Sequence, residues 1–286
     1  KTMIGAVDAR LPAAMERYGD DKAPALVAET AKYHVHQVRW PVFEGLWGCG
    51  LLIEPVANAV AHVVWIPDAD TTPEKMMAHE GVRRLAENGC MVIIPVTISR
   101  EKMKDVDQTH REWIYRQAYH MGRHVIGYEV QTAMAAIDWL HQKHGDKAKI
   151  GVCGHTEGGL VAFYTAACDT RVNASLVSGH FDNRQHTWAE PLYRNLFGLL
   201  HDFGDAEIAS LIQPRGLVIE HSKTTRVTMF TAQKGDVRQP ALADVKAEIA
   251  RIKGEPKPVL IEGTDSIPVA PFSENALLVF AKQLGI

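Results

Sequence analysis

A short glycine-rich motif places one hydroxyl residue where nucleophilic chemistry is often found. Residues 154–159 read Gly-His-Thr-Glu-Gly-Gly, between the apolar segment 149–153 and an apolar helical stretch that begins at Leu160. The spacing matches the G-x-S-x-G pattern of a sharp strand-to-helix turn, with Thr156 in place of serine. Side chains two positions before and after the central residue would collide with backbone, which explains the glycines. The motif predicts that Thr156 lies on a strained turn and presents a nucleophilic hydroxyl.

A hydroxyl nucleophile needs a base and an acid, which follow such a motif in the order acid, then histidine. The loop after the last predicted strand, 263–272, contains no histidine. His221 and His180 each end a predicted strand at the same sheet edge, so they are the candidate bases, and His155 is expected to pack or hydrogen-bond locally. The candidate acids are Glu220, Asp182 and Asp265. The sequence leaves the choice within both sets open.

Two backbone N–H groups are candidates for stabilising a developing oxyanion. The first belongs to Glu157, at the N-terminus of the helix that follows the turn. The second is expected in the loop 67–70, where the proline has no N–H and Ala69 is the better donor. Asp68 and Asp70 flank Ala69 and would oppose negative charge there. Metal-dependent hydrolysis through these two carboxylates and nearby histidines is an alternative, although we predict no metal site and no cofactor.

Two groups of residues are candidates for holding a substrate. Arg116 and Arg123 lie in the predicted helical region 111–141. One interpretation is that Arg116 or Arg123 reaches the site and binds an acidic substrate. The alternative is that these residues brace the helix through ion pairs. Trp188 lies in a polar, aromatic-rich segment at about 182–213, which we expect to form a lid-like excursion suited to a sugar ring. Covering the sheet is the alternative role of this segment.

Strands and helices alternate along the chain. The segments 33–43 and 46–55 predict an antiparallel hairpin, after a predicted helical stretch at about 11–31. Alternation of this kind predicts a mostly parallel central sheet with helices on both faces and an antiparallel N-terminal edge hairpin. The further predicted strands are 62–66, 91–96, 149–153, 174–178, 216–220 and 258–261. The further predicted helices are 73–88, 111–141 with breaks at Gly122 and Gly127, 160–167, 241–253 and 273–284.

Composition excludes several classes of function. The 286 residues are 46% hydrophobic with a net charge of −3, and the 14 histidines are scattered, so no basic surface for nucleic acid or an anionic membrane is expected. No apolar run approaches the length of a membrane span.

The four cysteines form no C-x-x-C pair and are expected to be buried free thiols. We expect one soluble domain over 1–286. Because the chain opens on Lys1, it is compatible with an export signal or further sequence upstream.

The chain resembles the dienelactone hydrolase and acetyl xylan esterase-like branch of the α/β-hydrolases. The resemblance covers about Val38 to the C-terminus and rests on four segments besides the turn motif: 67–74 (PDADTTPE), 111–140, 176–184 (LVSGHFDNR) and 190–222. It implies the α/β-hydrolase fold and carboxylic ester hydrolysis on short-chain or carbohydrate-linked esters. The chain departs from the family at the nucleophile, which is Thr156, and at the terminal histidine. A catalytically degenerate binding or scaffold domain is therefore the alternative function.

Overall fold

A ten-stranded, mostly parallel sheet forms the centre of the computed structural model, which describes residues 1–228, 235–264 and 267–286. The strand order is β1-β3-β4-β6-β5-β7-β8-β9-β12, and β2 also pairs with β3. The strands of this sheet are β1 Glu16–Arg17, β2 Leu26–Glu29, β3 Tyr33–Phe43, β4 Leu46–Pro55, β5 Ala61–Ile66, β6 Cys90–Pro95, β7 Ile150–His155, β8 Val172–Ser178, β9 Gly216–Glu220 and β12 Val259–Ile261. Two further short strands, β10 Val227–Thr228 and β11 Asp236–Val237, pair with each other.

The helices connect these strands and cover both faces of the sheet. They are α1 Pro73–Met77, α2 Glu80–Glu87, α3 His110–His120, α4 Val125–His144, α5 Glu157–Cys168, α6 Leu199–Asp202, α7 Asp205–Ser210, α8 Leu242–Arg251 and α9 Glu274–Leu284. One hydrophobic cluster contains the apolar sides of α4 and α5, and a second contains those of α2 and α9. None of the described helices is long and apolar enough to cross a membrane.

The central strands are continuous apolar runs because helices cover both of their faces. Every residue of β5, β6 and β7 is buried. These strands run parallel to one another, whereas β3 and β4 form the predicted antiparallel hairpin and β4 pairs antiparallel with β6. The predicted fold class is therefore confirmed. All four cysteines are free, with Cys90 and Cys153 buried and Cys49 and Cys168 half-buried.

The predicted N-terminal helix at 11–31 is wrong. The described structure has no helix there, and β1 and β2 pair instead with β3. Pro12, Gly19 and Pro24 interrupt the stretch and disfavour a helix. Residues 16–17 and 26–29 of this polar stretch form short edge strands, and the residues between them form no regular element.

Two further helix boundaries differ from the prediction. The predicted helix 73–88 divides into α1 and α2, and the side chain of His79 caps the start of α2 by accepting a hydrogen bond from the Gly81 N–H. The predicted break at Gly122 is confirmed, since this residue has a φ of 68° between α3 and α4. The predicted break at Gly127 is wrong. This glycine lies inside α4, where the backbone of Ile4 and Gly5 approaches too closely for a Cβ.

The excursion 182–213 contains the short helices α6 and α7 and two 3₁₀ turns. The guanidinium of Arg184 pairs there with Asp205 at 2.8 Å, and α7 packs against α5. The excursion therefore adjoins the helix that follows the threonine motif. Its role as a lid stays a prediction.

Candidate active site

The threonine motif forms a strained elbow at the carboxyl edge of the sheet. The strand β7 ends at His155 and α5 begins at Glu157, so Thr156 alone makes the turn, with a φ of 51° and a ψ of −106°. A β-branched residue adopts positive φ at a real energetic cost, and such strain is typical of functional sites. A Cβ at Gly154 would overlap the Gly158 carbonyl oxygen, which confirms why glycine is needed there.

The hydroxyl of Thr156 is enclosed by backbone and by one imidazole. Its Oγ1 lies 3.2 Å from Nε2 and 3.3 Å from Nδ1 of His155, and it accepts a hydrogen bond from the Thr225 N–H at 3.3 Å. The side chain of Thr156 is 0% exposed. The segment 223–225 therefore covers the nucleophile position directly.

The protonation of His155 follows from its second contact. Its Nε2 lies 2.9 Å from the carbonyl oxygen of Lys223, and because a carbonyl only accepts, Nε2 carries the proton and Nδ1 the lone pair. Burial lowers the pKa of His155, which favours the neutral ring. The nearly equal distances from Thr156 Oγ1 to both ring nitrogens place the hydroxyl away from the direction of the Nδ1 lone pair. Proton transfer to Nδ1 would need a rotation of the ring.

The first candidate oxyanion donor is already occupied by a carboxylate. The Glu157 N–H donates to Oδ1 of Asp68 at 3.2 Å, and Asp68 is almost fully buried. The other oxygen of Asp68 pairs with Arg100 at 2.6 Å, and Arg100 also pairs with Asp70 at 3.0 Å. The amide that would stabilise an oxyanion therefore holds an internal anion in this structure.

The side chain of Glu157 anchors a buried charge network beneath the elbow. One carboxylate oxygen lies 2.9 Å from Arg194 and 3.2 Å from Arg100, and the other lies 3.8 Å from Arg111. Burial alone would raise the pKa of Glu157, but the guanidinium groups of Arg194, Arg111 and Arg100 hold it at about 2. Arg111 also pairs with Glu129 at 2.6 Å. The network fixes the first turn of α5 and hence the elbow.

Residues 50–190 match the sequence pattern of the dienelactone hydrolase family. The chain is similar to this family over that segment. No curated protein sequence is detectably similar to it.

Solved structures of esterases share the fold of this chain. A glucuronoyl esterase from Solibacter usitatus superposes with a TM-score of 0.63 at 14% identity, covering 98% of this chain and 88% of its own. An acetyl xylan esterase from Paenibacillus sp. R4 gives 0.63 at 14% identity, with 95% and 89% covered. Acetyl xylan esterase 1 from Thermoanaerobacterium sp. gives 0.61 at 12% identity, with 99% and 92% covered. At these identities the likeness establishes the fold alone.

The predicted base His221 and the predicted acid Glu220 make their contacts away from the elbow hydroxyl. The His221 Nε2–H donates to the carbonyl oxygen of Pro240 at 3.0 Å. The Glu220 carboxylate accepts hydrogen bonds from the backbone N–H groups of Phe272 and Ser273 at 2.9 and 2.8 Å. Glu220 therefore holds the loop after β12 to the sheet edge. Among the described residues, the polar contacts of the hydroxyl are those to His155 and Thr225.

The other predicted base, His180, lies between two arginines. Its ring nitrogens are 2.9 and 3.1 Å from Arg184 and 3.3 Å from Arg194. Burial, together with these two cations, lowers the pKa of His180 well below its ordinary value. The predicted acid Asp182 accepts from the Asn183 N–H at 2.8 Å, and burial raises the pKa of its carboxyl. The structure thus places both groups in the excursion's own network of contacts.

The remaining predicted residues are spread around the elbow. Arg123 pairs with Asp8 at 2.6 Å, which ties the N-terminal segment to the connection between α3 and α4. The Nε of Arg116 is buried without a hydrogen-bond partner among the described residues. Trp188 is 78% exposed, and Ala69 is buried beside Asp68. The candidate acid Asp265 lies outside the described residues.

The carboxylates considered for a cation hold an arginine instead. Asp68 and Asp70 both pair with Arg100, whose charge compensates theirs. Within residues 1–228, 235–264 and 267–286, no group of three or more His, Cys, Asp or Glu side chains is arranged to hold a metal ion. The contact of His155 with the adjacent Thr156 agrees with the expected local hydrogen bonding. Sequence reasoning missed Arg100 and the contact of His155 with Lys223, because both depend on loops that meet only in the folded chain.

Proposed function

We propose that the chain hydrolyses short-chain or carbohydrate-linked carboxylic esters at the Thr156 elbow. The observation that carries the proposal is the backbone of Thr156, whose φ of 51° and ψ of −106° hold a hydroxyl at the start of α5. Strain of this kind persists where surrounding structure imposes it, and the next residue, Glu157, carries the N–H that is the candidate oxyanion donor. The family match supports ester hydrolysis, and the neighbours named as acetyl xylan and glucuronoyl esterases support a carbohydrate-linked substrate.

The proposed chemistry uses Thr156 as nucleophile and His155 as general base. The Oγ1 forms a bond to the ester carbonyl carbon, and its proton passes to Nδ1 of His155 once the ring has rotated to point the Nδ1 lone pair at the hydroxyl. The carbonyl oxygen of Lys223 accepts from the Nε2–H and so fixes the tautomer with its lone pair on Nδ1, as the third member of a triad does for a catalytic histidine. The C–O bond to the alcohol then breaks as the alcohol takes the proton from Nδ1. Water, activated by the same imidazole, releases the acid.

Two contacts must open before an ester reaches the hydroxyl. The segment 223–225 covers Thr156 through the Thr225 N–H, and Asp68 occupies the Glu157 N–H. A substrate that displaces both would gain the amide as an oxyanion donor. The proposal therefore predicts slow turnover of small esters in the unmodified chain.

Hydrolysis of p-nitrophenyl acetate by the parent chain, Thr156→Ala and Thr156→Ser tests the proposal. We expect activity in the parent and none in Thr156→Ala. We expect Thr156→Ser to be faster, because serine lacks the methyl group that crowds the strained turn. Mass spectrometry of a rapidly quenched reaction should find acetate on the peptide that contains residue 156.

The choice of base is tested with His155→Phe, which keeps a ring of similar size and removes both nitrogens. The matched variant is His221→Phe, at the end of β9. Loss of turnover in His155→Phe, with His221→Phe retaining it and both variants folded by circular dichroism, supports His155. The reverse result would transfer the base role to His221.

A catalytically degenerate binding domain is the second candidate function. The occupied Glu157 amide and the fully buried Thr156 hydroxyl favour it. If the parent, Thr156→Ala and Thr156→Ser are equally inert towards short-chain esters and none becomes acetylated, this function replaces ester hydrolysis.

A further inference from the structure

A cavity of about 420 Å³ lies between the sheet and helices α3 and α4, apart from the elbow. Its walls come from the start of β4, the loop after β6 and the facing sides of the two helices. Thr156 does not line it. The lining residue contributed by α5 is Val161, more than one helical turn beyond the elbow.

The walls of this cavity are mostly apolar. Trp47 lies at the mouth, half exposed, and Ile66 and Val161 form part of the buried floor. Cavities of this size with an apolar lining and a few polar groups are typical of small-molecule sites. The volume admits a molecule of about two fused rings.

The one carboxylate in the wall is compensated by protein. Both oxygens of Glu129 pair with Arg111, at 2.6 and 2.7 Å, and one of them also accepts from the Ile98 N–H at 3.1 Å. No Lys, Arg or Asp lines the cavity, and its one imidazole belongs to the exposed His110, so an ionic ligand gains little counter-charge from the wall. An uncharged ligand is therefore favoured.

Of the hydroxyl side chains that line the cavity, those of Thr97, Ser99, Tyr128 and Thr132, Ser99 and Thr132 offer complementary bonds to a ligand. Ser99 accepts a hydrogen bond from the Glu101 N–H at 3.3 Å, so its own proton can be donated to a ligand. Thr132 donates to the carbonyl oxygen of Tyr128 at 2.9 Å, so its oxygen can accept from a ligand. One donor and one acceptor suit a ligand hydroxyl.

We infer that this cavity binds a small, uncharged, largely apolar molecule that carries a hydroxyl group, such as an aromatic alcohol. The site is separate from the elbow and does not depend on ester hydrolysis. Its test uses binding alone, so that its failure and the failure of the proposed function are distinguishable.

Thiol protection with 2-naphthol as the probe tests occupancy. Cys49 lines the cavity and Cys168 does not, yet both thiols are half-buried and burial raises the pKa of each. At ten times the dissociation constant measured by calorimetry, alkylation of Cys49 by iodoacetamide should slow about tenfold, because about a tenth of the sites remain empty. Alkylation of Cys168 should keep its rate. Absence of binding, or equal slowing of both thiols, would overturn the inference.

Substitutions locate the ligand within the cavity. Val96 lines the mouth and Val60 lies elsewhere, and each is 49% exposed, so Val96→Trp and Val60→Trp are a matched pair. Val96→Trp should weaken 2-naphthol binding roughly tenfold or more by filling the mouth, whereas Val60→Trp should not. Ser99→Ala should weaken 2-naphthol about three- to tenfold and leave naphthalene unchanged, because only the alcohol uses the serine proton. Equal affinities in the parent and all three variants would place the ligand outside this cavity.

Discussion

Removing the carboxylate of Asp68 is expected to activate the elbow. Asp68 accepts the Glu157 N–H at 3.2 Å and puts a negative charge where an oxyanion would develop. In Asp68→Ala that amide becomes free to donate to substrate. One oxyanion donor changes kcat by about 10²- to 10³-fold, so we expect a gain of up to this size in p-nitrophenyl acetate hydrolysis.

The cost in stability is limited because Arg100 keeps two other partners. Breaking a buried ion pair costs about 3–5 kcal/mol when a charge is left alone. In Asp68→Ala, Arg100 still pairs with Asp70 at 3.0 Å and Glu157 at 3.2 Å, so we expect a loss near or below about 3 kcal/mol. Urea unfolding of the parent and the variant measures it.

Two control variants separate the effect on the amide from the effect on Arg100. Asp70→Ala removes another carboxylate from Arg100 without touching the Glu157 N–H, so its kcat should stay at the parent value. Asp68→Asn keeps an oxygen acceptor for the amide and should gain less than Asp68→Ala. If Asp68→Ala hydrolyses the ester no faster than Asp70→Ala while both remain folded, the occupied amide does not limit turnover.

Three further predictions concern stability. Burial lowers the pKa of His124 to about 4, and its Nδ1 caps α4 by accepting the Ile126 N–H. In the unfolded chain the His124 imidazole is protonated near its ordinary pKa of 6.5, whereas the folded chain resists protonation until about pH 4. The contribution of neutral His124 to stability is therefore full above pH 6.5, and about 3 kcal/mol of it is lost as the pH falls from 6.5 to 4. Urea unfolding measured against pH should show a shallower loss in His124→Asn. Glu157→Gln should lower the free energy of unfolding by about 3 kcal/mol or less, since Arg100, Arg111 and Arg194 each keep another carboxylate partner, and urea unfolding at pH 7 tests this. Gly154→Ala should unfold the elbow or the chain, because its Cβ meets the Gly158 carbonyl oxygen, and a melting temperature equal to that of the parent would contradict this.

The fold was predictable because its signals are local. Buried strands such as β5 and β6 are unbroken apolar runs, and the glycines around Thr156 reflect collisions within one turn. The N-terminal stretch was predicted wrongly because its strands are set by pairing with β3, and exposed polar edge strands carry little periodic signal.

The surroundings of the elbow were less predictable because they depend on loops that meet in space. Asp68 and Arg100 are 32 positions apart, and Lys223 lies 68 positions after His155. The motif predicted that the Glu157 N–H would face a developing anion, but nothing local indicated that a carboxylate of the same chain occupies it. His155 adjoins the nucleophile position in sequence, yet its proximity to the hydroxyl follows from the strained turn itself.

The outer edges of the sheet bear on how copies of this chain meet one another. On one side, β1 and β2 together take up the free edge of the long strand β3, and on the other the sheet ends in β12, which is three residues long. Short or covered edges give another polypeptide few backbone groups to pair with. Among the described strands, the long ones are thus shielded from strand-to-strand polymerisation. We therefore expect association with other chains to proceed through side-chain surfaces and not through extension of the sheet.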